Sequence, residues 1–366
     1  MNNGRNSFHR FLLILLSLGG LLTIIGLVNA QQTTPNPQVI ETDSHIFTRM
    51  AEGVYQITGT GKVYVMSNAM LIVGENDLLI VDSHVTPHAA SVLLEAVKAV
   101  SDKPLRYLIN THYHFDHAHG NQVFPADVEI IGHHYTRAKL SGAQGNVLEE
   151  PTFLSFTEGV PDLVARLEQQ LAETTDPARK AALEIQLNAQ RAHMESLPTT
   201  IPTPPNITFE NELMLYQTVM HGSREIQLLH LGRAHTGGDV VVYLPAERLV
   251  YSGDMMLPFL AYMGDGYAQE WPQTLEALKQ LDFDTILPGH GAPIQGKAMI
   301  DHFQRYLEDI WAKTVALKAQ GLTAEQTAQQ IDLTNHRANY PQIQAAGADV
   351  RAIRRIYALL DQEPAE

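Results

Sequence analysis

The feature of this chain that points most directly to chemistry is a run of imidazole and carboxylate side chains. Residues 111–117 read Thr-His-Tyr-His-Phe-Asp-His. Neutral imidazole and carboxylate are both good ligands for zinc, and groups of this kind are costly to bury together unless something pairs with them. The run therefore predicts a metal site, and its candidate ligands are His112, His114, Asp116 and His117.

Three further loops, each flanked by glycine, place His235, Asp254 and His290 directly after predicted strands. A single His or Asp in such a position is more often a hydrogen-bonded polar residue than a ligand. Here the three recur in a chain that already contains the histidine run. We therefore interpret them together as the remaining ligands of the same site.

Short apolar segments alternate with helical ones around these residues and must position them. Leu105–Ile109 predicts a buried strand that leads directly into the histidine run, so the ligands are expected in a loop at a strand end. In the second half of the chain, strands are again followed by a helix and another strand. This weak internal symmetry predicts two packed units of strands and helices.

The composition changes between residues 159 and 197, where Glu, Gln, Ala and Leu dominate and Asp176-Pro177 marks a break. This segment predicts an inserted helical hairpin, which serves either as a structural element or as a lid over the site. We expect the main domain to span residues 45–320 with this insert inside it. Residues 321–366 are predicted to form a C-terminal helical extension.

The first thirty residues have the pattern of a secretory signal peptide. A basic start with Arg5 and Arg10 precedes an apolar run over residues 11–28 and small residues that end at Ala30. The run is also long enough to remain as an uncleaved membrane anchor. Both alternatives place the rest of the chain outside the cytoplasm, periplasmic or secreted. Residues 31–44 are predicted to be a flexible leader.

Composition excludes several classes of function. The chain has no cysteine, so it has neither disulfides nor a thiolate nucleophile or ligand. It carries 25 basic and 40 acidic residues, and loss of the two arginines in residues 1–30 would change its formal charge from −15 to −17. This charge repels phosphate backbones, so we expect a small-molecule substrate and no nucleic acid partner. The sequence leaves the oligomeric state open.

The ligand motifs, together with Asp82 after an earlier strand, closely resemble those of the metallo-β-lactamase fold superfamily. The resemblance covers about residues 50–140 and 205–292, and the motifs occur in the order that the family shows. It implies an α/β (α+β) fold, an αββα sandwich of two mixed sheets flanked by helices. The metal ligands are expected at one edge of the two sheets.

The resemblance also implies a role for each candidate ligand. The implied ligands are His112, His114 and His235 for the first ion, and Asp116, His117 and His290 for the second ion, with Asp254 bridging the two. Asp82 is expected to support the ligand loop without binding an ion. His84, two residues further along, is expected to support the site in the same way or to lie close to the pocket.

In such a site, two zinc ions would lower the pKa of a shared water, polarise a carbonyl group and stabilise the leaving group. Asp116 would orient the nucleophile or carry its proton, and Asp254 would act with it as the bridging carboxylate. This chemistry suits a β-lactam, lactone, ester or thioester. The best-known β-lactamases have Cys where this chain has Asp254, whose carboxylate instead resembles glyoxalase II and lactonases. A carboxylate bridge also admits iron or manganese.

Four residues are predicted to contact the substrate. Tyr64 and Met66 lie in a glycine-flanked hairpin that is either a mobile flap over the site or an ordinary turn. Leu257 stands where β-lactamases of the best-known subclass carry a lysine, so Arg233 would have to anchor a substrate carboxylate. Tyr262 belongs to an aromatic segment after the bridging aspartate and fits a pocket wall.

Two other functions remain open at this point. One is an iron-dependent redox enzyme of the same fold, which would contain iron and no zinc. The other is a metal-stabilised binding protein, which would hold a ligand without turning it over. The complete set of ligands favours a hydrolase over both.

Overall fold

A computed structural model describes residues 38–220 and 222–362. The predicted signal peptide or anchor, residues 1–30, lies outside these residues, as does the leader up to residue 37. Within the described ranges, no helix is both long enough and apolar enough to cross a bilayer.

Two mixed sheets form the centre of the fold, which confirms the predicted architecture. The first sheet has eight strands in chain order: β1 (Val39–Glu41), β2 (His45–Ala51), β3 (Val54–Gly59), β4 (Ala69–Val73), β5 (Leu78–Val81), β6 (Leu105–Ile109), β7 (Glu129–His133) and β8 (Ile207–Phe209). The second sheet has six strands: β9 (Glu212–Val219), β10 (Gly222–Leu229), β11 (Val241–Leu244), β12 (Leu249–Gly253), β13 (Thr285–Pro288) and β14 (Ile294–Gln295).

Helices cover the outer faces of both sheets. They are α1 (Pro87–Val97), α2 (Phe115–Ala118), α3 (His134–Leu140), α4 (Pro151–Thr157), α5 (Val160–Glu173), α6 (Pro177–Ser196), α7 (Trp271–Gln280), α8 (Ala298–Ala319), α9 (Ala324–Gln330) and α10 (Val350–Gln362). Helix α1 begins where Thr86 accepts a hydrogen bond from the N–H of Ala89 and where Pro87 fixes the first turn.

Three apolar clusters hold the layers together. One lies between the two sheets and includes Val81 and Leu287. A second joins the first sheet to α1 through Leu93, and a third joins the second sheet to α7, α8 and α10 through Phe303 and Ile353. Each large apolar side chain that is fully buried stabilises the fold by about 1.5–3 kcal/mol.

Parallel strand pairs bring the predicted ligands to one edge. Strands β5 and β6 are parallel neighbours in the first sheet, and β12 and β13 are parallel neighbours in the second. Because parallel strands end at the same edge of a sheet, the residues that follow them are gathered there. These are Asp82, the histidine run, Asp254 and the loop that carries His290.

Two predictions about the first sheet were wrong in part. Val39–Glu41 is an antiparallel edge strand on β2 rather than part of a flexible leader, because Ile40 packs on the cluster around Phe47. The glycine-flanked hairpin predicted to carry Tyr64 and Met66 has no second strand, because residues 63–65 lie in a loop between β3 and β4. Gly61 and Met66 have φ angles of +88° and +64° that interrupt extended backbone.

The predicted insert contains the helices α5 and α6, and a third helix, α4, precedes it. Asp176 caps α6 by accepting a hydrogen bond from the N–H of Arg179 at 2.6 Å, and Pro177 occupies the first turn. The two long helices share an apolar cluster of their own, formed by Val160, Val164, Leu167, Leu183 and Leu187. Beyond residue 320, α9 and α10 pack against α8 through the third apolar cluster.

Candidate metal centre

The first group of ligand candidates consists of three buried imidazoles. His112 and His114 follow β6, and His235 comes from the loop after β10. One ring nitrogen of each lies within 4.8 Å of those of the other two. The closest approach is 2.9 Å, between Nδ1 of His114 and Nε2 of His235. The three rings therefore converge on one point, where an ion could accept all three nitrogens.

The second group combines two carboxylates and two imidazoles: Asp116, His117, Asp254 and His290. Their ligand atoms also lie within 4.8 Å of one another. Oδ2 of Asp116 is 2.9 Å from Nε2 of His290, and Oδ1 of Asp254 is 3.4 Å from Nε2 of His117. The structure thus separates the predicted residues into the same two groups that the resemblance implies.

Asp254 contacts both groups. Its Oδ2 lies 3.3 Å from Nε2 of His290 in the second group and 3.6 Å from Nε2 of His235 in the first. A carboxylate that touches both groups is placed to bridge two ions. This shared contact joins the two ligand groups.

Several ligand atoms have no other partner. Nε2 of His112, Nε2 of His117 and Oδ1 of Asp254 are buried and make no hydrogen bond within the described part of the chain. A buried polar atom without a partner is costly, and native proteins avoid it. Cations at the two groups would satisfy all three atoms, so the residues present fit a pair of divalent metal ions.

The electrostatics of the site also suit cations. Burial alone would raise the pKa of Asp254, but the charges of His290 and His117 outweigh it, and the pKa lies well below its usual value. Burial lowers the pKa of His112 well below normal and that of His235 to about 3. The first group therefore offers neutral imidazoles, the form that binds metal. In the second group burial would lower the histidine pKa values, but the nearby carboxylates Asp116 and Asp254 raise the pKa of His117 well above normal and that of His290 to about 10, so an ion that binds there must displace protons from these two rings.

Asp82 supports the second group through hydrogen bonds and is not itself a member of it. Its carboxylate accepts hydrogen bonds from the N–H of Thr111 at 2.8 Å, from the hydroxyl of Thr111 at 2.9 Å and from Nδ1 of His117 at 2.8 Å. The last bond fixes the tautomer of His117 and leaves its Nε2 free for an ion. Asp82 does so from a φ of +65°, which is rare for a residue with a side chain.

Gly289 permits the close packing of two ligands. A Cβ at this position would lie 2.2 Å from Oδ1 of Asp254 and 2.8 Å from Cε1 of His117. Any larger residue would have to displace one of these groups. The glycine beside His290 is thus required by space at the metal centre rather than by a turn.

Asp265 supports the first group and was missed by the sequence analysis. Its Oδ2 accepts a hydrogen bond from Nε2 of His114 at 3.0 Å and another from the hydroxyl of Thr152. These contacts turn Nδ1 of His114 towards His235. Burial alone would raise the pKa of Asp265, but its bond to His114 outweighs burial and holds the pKa well below normal. The sequence Gly264-Asp265-Gly266 resembles the other glycine-flanked ligand motifs and was a usable signal.

Replacing Asp265 with alanine should weaken metal binding at the first group by about 10- to 100-fold, because His114 loses the carboxylate that orients it. Competition with a chromophoric chelator measures this affinity. Asp282→Ala is the matched control, since that side chain is 77% exposed and pairs only with Arg248 on the surface. Equal affinities in Asp265→Ala and the control would contradict this role.

His84 does not reach a ligand atom directly. It is buried, with its Nε2 3.2 Å from Nε2 of His45 and its Nδ1 3.4 Å from the hydroxyl of Ser67. The same hydroxyl donates to the carbonyl of Asp116. His84 therefore supports the ligand run through Ser67 rather than facing the pocket.

Arg233 does not have the position expected of a carboxylate anchor. Its Nε donates to Glu270 at 2.8 Å, and its guanidinium stacks 4.3 Å above the ring of Tyr267. A guanidinium that is already paired with a carboxylate is poorly suited to bind a second one. Arg233 therefore already has a carboxylate partner, and its binding of substrate stays a prediction.

The other three predicted substrate contacts border the centre. The ring of Tyr262 lies 6.2 Å from that of His114, and its hydroxyl bonds to Thr152 at 2.9 Å. Met66 accepts a hydrogen bond from Nδ1 of His290 through its carbonyl. Tyr64 contacts His193 of helix α6, with ring centroids 4.6 Å apart. A loop and the insert therefore meet beside the second group.

Comparison with known proteins gives a consistent result. The profile of the metallo-beta-lactamase superfamily matches residues 64–290. Linear primary-alkylsulfatase from Pseudomonas sp. (strain ATCC 19151) is 24% identical over 300 residues, which cover 78% of this chain and 54% of that protein. Probable metallo-hydrolase YqjP from Bacillus subtilis (strain 168) is 26% identical over 259 residues, 67% of this chain and 74% of that protein.

Among solved structures, the inverting sec-alkylsulfatase Pisa1 from Pseudomonas sp. has a TM-score of 0.57 with this chain at 17% identity. The match covers 86% of this chain and 50% of that one. At this identity the likeness concerns the fold. The chain spans about half the length of the two alkylsulfatases that it matches.

Proposed function

Because the chain belongs to the metallo-beta-lactamase superfamily and brings together two groups of possible metal ligands, we propose that it is a dinuclear zinc hydrolase that acts outside the cytoplasm. Its substrate is a small molecule with an ester, lactone or thioester bond. The observation that carries the proposal is the position of Asp254, which contacts both ligand groups. A shared carboxylate serves a reaction that needs two adjacent ions.

Two zinc ions, when bound, supply an acidified water and a polarised carbonyl. The other roles in the reaction belong to side chains of the protein. Asp116, 2.9 Å from Nε2 of His290, is placed to orient the attacking water and to accept its proton. Asp82 and Asp265 keep His117 and His114 in fixed orientations. Tyr262 borders the first group and limits where the substrate can lie.

Zinc is supported by the donor set, since five of the seven ligand candidates are imidazoles and the other two are carboxylates, both of which are usual zinc ligands. The carboxylates also suit iron or manganese, so metal analysis has to accompany every activity assay. The location outside the cytoplasm rests on the basic and apolar pattern of residues 1–30.

A β-lactam is a weaker candidate than an ester. Leu257 occupies the position of the expected lysine, and Arg233 is engaged by Glu270 and Tyr267. A substrate carboxylate would therefore lack the anchor that the sequence analysis assigned to it. A neutral carbonyl substrate needs no such anchor.

Sulfate ester hydrolysis is the second candidate. It is favoured by the match over 300 residues to a protein named linear primary-alkylsulfatase. The match covers only about half of that protein, and identity is 24%. We therefore rank a sulfate ester below a carboxylic ester and test both together.

The test uses the full-chain protein, with its metal content measured by mass spectrometry. Hydrolysis of p-nitrophenyl acetate, an aryl lactone, a chromogenic cephalosporin and dodecyl sulfate is followed with and without a chelator. We expect two zinc ions per chain and chelator-sensitive cleavage of the ester and the lactone. The chelator should abolish cleavage because removal of the ions removes the acidified water and the polarised carbonyl.

Each other result points to a different function. Release of sulfate from dodecyl sulfate, with no ester cleavage, would select the second candidate. One iron and no zinc would favour a redox enzyme. Two bound metal ions without turnover of any substrate would favour a binding protein and overturn the proposal.

A further inference from the structure

A cleft of about 530 Å³ opens beside the second ligand group. One wall is the loop between β3 and β4, including Val63 and Tyr64, and the other is the helix α6 of the insert, including Ile185 and Gln190. This volume lies within the range of small-molecule sites, about 300–1,000 Å³. The insert therefore forms half of a cleft rather than standing apart from the centre.

The cleft adjoins the loop that carries His290. The carbonyl of Met66, which lines it, accepts a hydrogen bond from Nδ1 of His290 at 3.1 Å. The N–H of Asn68 donates to the carbonyl of Gly289 at 2.6 Å, and its side-chain amide donates to that of Gly291 at 2.9 Å. The floor of the cleft is thus fastened to the loop that carries a metal ligand. The cleft and the second ligand group therefore lie on opposite sides of shared hydrogen bonds.

The lining of the cleft contains no charged side chain. It consists of Thr58, Gly59, Gly61, Val63, Tyr64, Val65, Met66, Ser67, Asn68, Ala182, Ile185, Gln186, Ala189 and Gln190. This is unusual in a chain with 40 acidic residues. A charged group placed there would gain no partner of opposite charge from the lining. The lining therefore suits an uncharged group better than an ion.

Two amides of α6 face this space, one helical turn apart. Gln190 is only 7% exposed, and both Gln186 and Gln190 line the cleft. Within residues 38–220 and 222–362, neither side chain forms a hydrogen bond. An amide that is largely buried and still lacks a partner is available to a ligand with a donor or acceptor of its own.

We infer that this cleft binds an uncharged chain of the substrate, apolar along Val63 and Ile185 and carrying an amide or hydroxyl opposite the two glutamines. The inference rests on the proposed function, since it places the scissile bond of that chain at the metal centre. Helix α6 then determines which substrates bind. The insert acts as a specificity element, and the metal ligands do not.

Ile185→Glu tests the cleft because it adds a charge to the wall at a side chain that is 44% exposed and so does not disturb the core. Asn188→Glu is the matched control: it adds the same charge to an exposed position of α6 that does not line the cleft. The readout is kcat/KM for p-nitrophenyl acetate and p-nitrophenyl octanoate, corrected for the rate without enzyme. We expect Ile185→Glu to lower the octanoate value at least tenfold and to leave the acetate value within twofold.

The control should leave both values within twofold of the original. Equal losses for the short and the long ester in Ile185→Glu, or no loss for either, would overturn the inference. A loss of octanoate cleavage in Asn188→Glu as large as in Ile185→Glu would overturn it too, because the effect would then be one of general charge.

A binding experiment separates this inference from the proposed function. Calorimetry with octanamide measures occupancy of the cleft without any reaction, and octylammonium gives the charged comparison. We expect the natural protein to prefer octanamide and Ile185→Glu to prefer octylammonium. That binding pattern without ester turnover would support the inference about the cleft and refute the proposed hydrolase function. Ester turnover without octanamide binding would refute the inference about the cleft and leave the proposed function standing.

Discussion

Asp254→Ala should lower turnover by at least about a thousandfold and leave no more than one tightly bound ion per chain. The reason is geometric, since Oδ2 of Asp254 contacts His290 in one group and His235 in the other. Its removal takes a ligand from both ions and leaves the adjacent imidazoles to repel each other when protonated. Alanine has no carboxylate that could replace this bridge.

This prediction is checked by metal analysis and by kcat of the purified full chain, with circular dichroism to confirm that the variant is folded. Asp284→Ala is the control, because its carboxylate is 68% exposed and pairs with Arg248 away from the centre. A variant that retains two ions and loses less than tenfold in kcat would show that Asp254 is not the bridge.

Asp82→Asn should weaken binding of the second ion by about 10- to 100-fold and lower turnover with it. The carboxylate now accepts bonds from Thr111 and from Nδ1 of His117. An asparagine of the same shape keeps one acceptor and presents a donor towards groups that also donate. We also expect a loss of about 1–3 kcal/mol in the free energy of unfolding, since a buried donor is left without a partner.

Two measurements distinguish these effects for Asp82→Asn. Denaturant unfolding of the metal-free protein gives the change in the free energy of unfolding. Chelator competition gives the affinity for each ion. If excess zinc restores turnover, the residue acts by holding His117 in position. If metal affinity does not change while turnover falls, Asp82 takes part in the reaction in another way, and this account of it is wrong.

The sequence indicated which residues come together because most of the information is local. The four ligand candidates in residues 112–117 lie in the loop after β6 and in the short helix α2 that follows it, and the other three each follow a strand and a glycine. The sheets were predictable for a similar reason, since each strand is a short apolar run between turn residues. The structure places these residues together, and membership of the superfamily confirms the resemblance.

Contacts between distant segments were harder to predict. Asp265 supports His114 from 151 positions further along the chain, and no spacing rule connects the two. Arg233 looked free in the sequence, but Glu270, 37 positions away, occupies its guanidinium. The edge strand Val39–Glu41 looked like part of a polar leader because three residues carry little periodicity. In each case the deciding partner is set by the tertiary fold.

The separate apolar cluster of the insert has a consequence for how this protein can evolve. Val164 of α5 and Leu187 of α6 lie inside the hairpin and stabilise it. Ile185 and Gln186, which also belong to α6, are exposed towards the cleft. Mutations at such exposed positions usually change stability by less than about 0.5 kcal/mol. Substitutions on α6 can therefore change which substrates bind while the metal-ligand residues at the edge of the sheets stay the same. Diversity among descendants of this chain should accumulate there first.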